Sequence, residues 1–188
     1  MTTRSLVRAT PVERAQNLAS DHLIPNAFVS LTHAVTIGCR RQDLWPWLVQ
    51  MGAGRAGWYS YDTIDNGGQP SAEEVLPEFQ TIAVGTVLPA LPGATDAFIV
   101  AEVEPEHFLV LGWPSEGGNY LSTWAFTLEE MAPDKTRLIV RGRAGPGYHF
   151  HGLPFWLLKL AAPWGHSIMQ RKQLLEIARR AEQPIRHT

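Results

Sequence analysis

The sequence predicts an α+β domain in which one curved antiparallel sheet wraps around a long C-terminal helix. Three observations predict it. Five segments of strand character lie between Thr86 and Arg143, separated by short breaks rich in Pro, Gly, Asp and Glu. Connections that short join antiparallel neighbours, because parallel strands need long crossovers. Pro154 to Glu182 reads as a single long helix with i, i+4 charge pairs at Lys172/Glu176 and Glu176/Arg180. Far upstream, Leu31, His33, Val35 and Ile37 alternate with Thr32, Ala34 and Thr36, the period of a strand. This order segregates the helices to one face of the sheet, and strong curvature leaves room for a ligand between the layers.

Taken in order, residues 1–22 are polar and predict an arm, either loose or an outer helix over Glu13 to Ala19 after Pro11. Residues 23–183 are expected to form the domain and 184–188 a tail. After the first strand, a helix is predicted from about Gln42 to Met51. Pro46 suits its first turn, and Gly52 ends it. Short helices are expected over Ser60 to Asp65 and Ser71 to Leu76, the second opened by a capping box of Ser71 with Glu74. The later strands are Thr86 to Leu91, Ala97 to Val103, Phe108 to Trp113, Tyr120 to Leu128 and Arg137 to Arg143. Pro163 should kink or interrupt the final helix. Trp164, Ile168, Leu175 and Ala178 mark its dry face, and the charge pairs its wet one.

Composition narrows the function classes. A chain of 188 residues with 45 % apolar residues holds one ordinary core. A formal net charge of −2 gives no electrostatic drive toward nucleic acid. The single cysteine, Cys39, excludes an internal disulfide. The N-terminus lacks a secretory apolar core, and the longest apolar stretch, Leu153 to Trp164, is too short to span a bilayer. A cytoplasmic protein without an integral membrane segment is expected; the oligomeric state is left open.

The run WPWLVQMGAGRAGWYSYD, Trp45 to Asp62, joins an apolar helix to a glycine-rich loop and three more large aromatics. With the preceding strand, the later VLPEFQ and GTVLP, and the terminal IMQRKQLLEIARRAE, it resembles the START-like or SRPBCC superfamily over about Leu23 to Glu182. That superfamily includes polyketide cyclases, aromatase-like proteins and lipid-transfer domains. The resemblance implies the helix-grip fold, with short helices between the first two strands. It is closest to an uncharacterised bacterial branch, so it assigns no catalytic residues.

Other patterns point elsewhere and carry less. Gly52, Gly54 and Gly57 spell a dinucleotide fingerprint, but not within a parallel βαβ unit. Gly165-His166-Ser167 opens like a nucleophile elbow, yet its fifth position is Met169 and it falls in a helix. His149 and His151 lack a third ligand at a recognisable spacing, so no metal and no cofactor are expected. Arg55 is expected to pair with Asp62 and Asp65 and lock the loop, a structural role. Arg137, Arg141 and Arg143 fall opposite Leu138 and Val140, on the solvent side.

The expected function is to hold a small apolar or aromatic molecule between sheet and helix, as a carrier or sensor. The expected walls are Trp58, Tyr59, Val110, Trp124, Phe126, Trp164 and Ile168, with His33, Arg55 and Tyr59 as polar anchors. One strand face, Tyr120, Ser122, Trp124, Phe126 and Leu128, mixes hydroxyls with rings, which suits a cavity wall better than a dry core. Two alternatives compete: a cyclase, aromatase or dehydratase, and an interaction module whose interior is filled by its own tryptophans.

Overall fold

A computed structural model describes residues 6–148 and 155–183, with side chains in the last helix described from Trp164 onward. Among the described residues six strands form one fully antiparallel sheet in the order β1-β6-β5-β4-β3-β2. They are β1 (Val29–Ile37), β2 (Val87–Pro89), β3 (Ala97–Glu104), β4 (Phe108–Pro114), β5 (Tyr120–Ala132) and β6 (Lys135–Ala144). The helices are α1 (Pro11–Ala15), α2 (Arg41–Val49), α3 (Asp62–Asp65) and α4 (Phe155–Ala181), with 3-10 turns at Ala19–Leu23 and Pro77–Phe79. This is the helix-grip arrangement. α4 runs through Pro163 without interruption.

Pairing across the sheet sorts its two faces, because residues directly opposite one another share a face. One row runs His33–Val140–Phe126–Leu109 and the next Leu31–Gly142–Trp124–Leu111. These belong to the inner face, under α4. The alternate row, Thr32–Arg141–Ala125–Val110, belongs to the outer face. Between Trp113 and Pro114 the register shifts, and Tyr120 opposes Pro114. This bulge breaks the period of two. A Cβ on Gly112 would stand 2.3 Å from the Tyr120 ring, so Tyr120 lies against the outer row and not beside Trp124 as expected.

The N-terminal segment covers the outer face. Thr10 caps α1 in a reciprocal box with Glu13, and Ala9 and Leu18 pack on Ala34 and Ile139. Arg141, expected in solvent, is 2 % exposed beneath this cover. Its guanidinium donates to the carbonyls of Glu13, Arg14 and Gln16, to Thr32 Oγ1 and to Asp21 Oδ2. Arg137 binds Glu13 on the same face, and Arg143 pairs with Asp21 at 3.1 Å. Arg137 thereby holds the Glu13 carboxyl down at about 2.

Within the helical interval, α2 starts earlier than expected, which puts Pro46 inside the helix and not in its first turn. Residues 71–76 form no helix. Ser71 does not cap one. Its Oγ accepts from the Tyr59 N–H and donates to Asp62 Oδ1 at 2.6 Å, tying the loop to α3. Gly57, at φ +80°, is required there: a Cβ would meet Ser71 Oγ at 2.4 Å.

Candidate functional site

The inner face is packed unevenly. Toward the Ile37 end it is solid: Val35, Ile37, Leu128 and Leu138 are buried against Leu174, Ile177, Ala178 and Ala181 of α4. Toward the opposite end, Leu31, His33, Phe98, Trp113, Ser122 and Trp124 all point inward yet are only half-buried. Their rings form a connected wall. Phe98 meets Trp113 edge-on at 5.1 Å and Trp58 at 5.7 Å between centroids. Trp124 stands 5.6 Å from Trp58 and 5.0 Å from Phe126.

A polar chain fixes this wall to the helix. The Trp124 indole N–H donates to Gln170 Oε1 at 2.7 Å, Gln170 Nε2 to Gln173 Oε1 at 2.7 Å, and Gln173 Nε2 to the Trp58 carbonyl at 2.9 Å. Both glutamines are buried. Every link is satisfied, so the chain sets the helix register and not merely its proximity. One turn before Gln170, His166 lies over Gly142, where a Cβ would stand 3.2 Å from Nε2. Its ring is 6.0 Å from that of His33 and edge-on to Trp124 at 6.3 Å. Burial pushes both histidines below the ordinary imidazole range, His166 to about 4 with help from His33. His33 Nδ1 and His166 Nε2 are buried without a hydrogen-bond partner.

The expected site residues therefore divide. Trp58, Trp124, Phe126 and His33 come together on the inner face. Val110 does not: it pairs with Ala125 in the Arg141 row, on the outer face. Trp164 and Ile168 were expected on the dry face of α4 and are 75 % and 55 % exposed. The buried face is Gln170, Gln173, Leu174, Ile177, Ala178 and Ala181, so of the expected dry-face residues Ala178 is buried and Leu175 half-buried. Arg180, assigned to the wet face, is buried over the Tyr59 ring, 4.9 Å from its centroid, and bound to Glu73 and Glu176.

Arg55 pairs with neither Asp62 nor Asp65. Its Nη2 donates to the carbonyls of Val49 at 3.1 Å and Phe79 at 2.9 Å, and its plane lies over the Phe79 ring. The reach to two main-chain oxygens explains why it turns away from the carboxylates. Asp65, left without that cation, is raised to about 6 by burial and by Asp62.

Tyr59 adopts φ +58°, and its hydroxyl accepts from Gln50 Nε2 at 2.6 Å. It borders a cleft of about 190 Å³ with Glu73, Lys172, Glu176 and Arg180. Those charges are already paired with one another, so this cleft is not the apolar cavity expected. Among the described residues no group of three His, Cys, Asp or Glu could hold a metal ion. His149 and His151 lie outside them. No helix of the described residues is long and apolar enough to cross a membrane.

Sequence reasoning missed His166, Gln170 and Gln173 as site residues. A helical spacing of four and three connects them, but their polarity hid the face they mark.

The architecture, one antiparallel sheet under a long C-terminal helix, is a helix-grip arrangement. Solved structures similar to this chain include a conserved protein of unknown function from Enterococcus faecalis, at 13 % identity. That match covers 98 % of this chain and 80 % of the other, with a TM-score of 0.48. A protein from Arthrobacter aurescens is 14 % identical over 97 % and 94 % of the two chains, with a TM-score of 0.48. CalU16 from Micromonospora echinospora is 13 % identical over 81 % and 83 %, with a TM-score of 0.42. No family model matches the chain, and no curated protein matches it significantly.

Proposed function

We propose that the protein binds a small apolar or aromatic molecule on the inner face of its sheet, between β1, β4, β5 and the part of α4 around His166. The observation that carries this reading is the contrast along one face. The Ile37 end is solid, whereas the Trp124 end keeps a wall of rings half-exposed beneath the helix. Exposed aromatic surface inside a fold is costly unless something covers it, and a bound apolar molecule recovers that cost. A carrier or sensor is preferred to an enzyme. His33 and His166 make no hydrogen bond with each other, so neither orients or activates the other as an acid or base.

The test uses N-phenylnaphthylamine, an uncharged apolar fluorophore. Saturable enhancement is expected with the wild-type protein, together with quenching of tryptophan emission. Trp124→Ala should weaken probe binding several-fold. It should also lose clearly less than the about 3–5 kcal/mol typical of a fully packed tryptophan. Absence of saturable binding to the wild type, or unchanged binding to a folded Trp124→Ala variant, refutes the reading.

A further inference from the structure

We infer that the His33–His166 pair is the polar recognition point of this site, and that it selects an uncharged aromatic ligand bearing a hydroxyl group. The inference rests on the apolar-binding reading above and narrows it to a substrate class.

Three observations converge. First, the two rings belong to opposite layers, His33 to β1 and His166 to α4, and stand 6.0 Å apart across the inner face with their planes tilted by 56°. Gly142 provides the floor beneath His166, since any side chain there would press on the imidazole. Trp124 stands at its edge. A ligand lying along the Trp124–Trp58–Phe98 wall thus meets both rings at one end.

Second, each ring presents a buried nitrogen that no described residue satisfies, Nδ1 of His33 and Nε2 of His166. Buried polar atoms in a native fold are nearly always paired, so two orphans on neighbouring rings mark a place for a third group. An imidazole nitrogen can donate or accept according to its tautomer. A hydroxyl does both, and it is the smallest group that can accept from one ring while donating to the other.

Third, the described residues around the pair are uncharged. Arg137, Arg141 and Arg143 all make their bonds on the outer face. On α4, Lys172, Arg179 and Arg180 are bound to Glu176 and Glu73, and Arg171 is exposed. Burial keeps both imidazoles neutral near neutral pH. A carboxylate brought here would lose its water and gain no cation from the described residues, which is strongly unfavourable. An ammonium would meet the same loss. A hydroxyl loses little and gains both bonds.

The test compares three ligands of one shape with the full chain near neutral pH: naphthol, methylnaphthalene and naphthoate, each by displacement of N-phenylnaphthylamine. Naphthol is expected to bind about tenfold more tightly than methylnaphthalene, the worth of one to two hydrogen bonds, with naphthoate weakest. In His33→Phe and His166→Phe the preference for naphthol over methylnaphthalene should collapse, while methylnaphthalene itself still binds. Equal binding of naphthol and methylnaphthalene to the wild type overturns the histidine assignment and leaves the apolar site standing. Preference for naphthoate overturns the selection for an uncharged group. A preference that survives in both variants assigns the hydroxyl to other residues and also overturns it. Failure of the wild type to bind any of the three overturns the apolar site and the inference together. Where a phenylalanine variant fails to fold, His33→Leu or His166→Leu takes its place in the same comparison.

Discussion

Replacing Arg141 should do more damage than its place on a sheet's outer face suggests. The side chain is 2 % exposed and makes five hydrogen bonds, of which three go to carbonyls of the arm and one to Asp21. Arg141→Met keeps most of the stem's packing but removes every bond. Asp21, with its side chain 16 % exposed, then keeps Arg143 at 3.1 Å and the Leu18 N–H at 3.0 Å. Removing one partner of a buried pair costs about 3–5 kcal/mol. Because Arg143 remains and water can reach the freed carbonyls, the lower end applies, about 3 kcal/mol. For a chain of this length that is a fall in melting temperature of roughly 6–12 °C. Arg141→Lys keeps the charge yet can serve only some of those five bonds, so it should recover less than half of the loss. Chemical denaturation gives the free energy, and trypsin reports the arm directly, since Arg14 is exposed and lies between two of the bound carbonyls. Faster cleavage there should accompany the loss of stability. A Met variant within about 0.5 kcal/mol of wild type, with unchanged proteolysis, would refute the claim that this guanidinium holds the arm to the sheet.

Arg55→Ala and Arg55→Lys should both lower the melting temperature, because neither can bridge the Val49 and Phe79 carbonyls with a planar group stacked on the Phe79 ring. About 1–2 kcal/mol is expected for the alanine variant, with probe binding retained; lost binding at unchanged stability would make Arg55 a ligand anchor instead. Asp65→Asn should stabilise the protein at neutral pH. The folded carboxyl is raised from 3.8 to about 6, so its penalty is absent below the lower value, grows as pH rises through the window, and is full above it. After discounting for solvent access the gain is roughly 1 kcal/mol, and it should vanish at acid pH; a constant difference across the range would show that ionisation is not its cause.

The elements were legible in the sequence wherever one face of a strand or helix met water. The alternation over Leu31 to Ile37 predicted β1, and the short breaks predicted antiparallel order. The faces were harder. On β4, Leu109, Val110 and Leu111 are all fully buried, because the arm covers one side and α4 the other. With both faces apolar the period of two survives in geometry but not in composition, and Val110 was assigned to the wrong side. On α4 the reading followed large apolar residues and reached Trp164 and Ile168. The sheet instead receives Gln170 and Gln173, whose amides are satisfied by Trp124, by each other and by the Trp58 carbonyl. A buried glutamine looks like a surface residue until its partners are known, and those partners come from residues more than forty positions away. Arg55 failed for a related reason. Nearby carboxylates are visible in a sequence, whereas the main-chain carbonyls that capture a guanidinium are not.

These same features argue against an interior filled by the protein's own tryptophans. The tryptophans are well anchored: Trp58 donates to the Ala90 carbonyl at 3.1 Å and Trp124 to Gln170 at 2.7 Å. Anchored rings cannot simply swing inward to close a gap, since each would abandon a bond worth about 1 kcal/mol and leave a buried partner unpaired. The Gln170–Gln173 chain likewise fixes where α4 stands above the sheet, so the helix cannot settle to cover the Trp124 end without breaking it. Meanwhile the outer face is sealed by the arm through Arg137, Arg141 and Arg143. Two layers held apart by satisfied polar bonds, over a wall of half-exposed rings, resist collapse from both sides. That is the condition under which an apolar molecule gains by entering, which is what the proposed function requires.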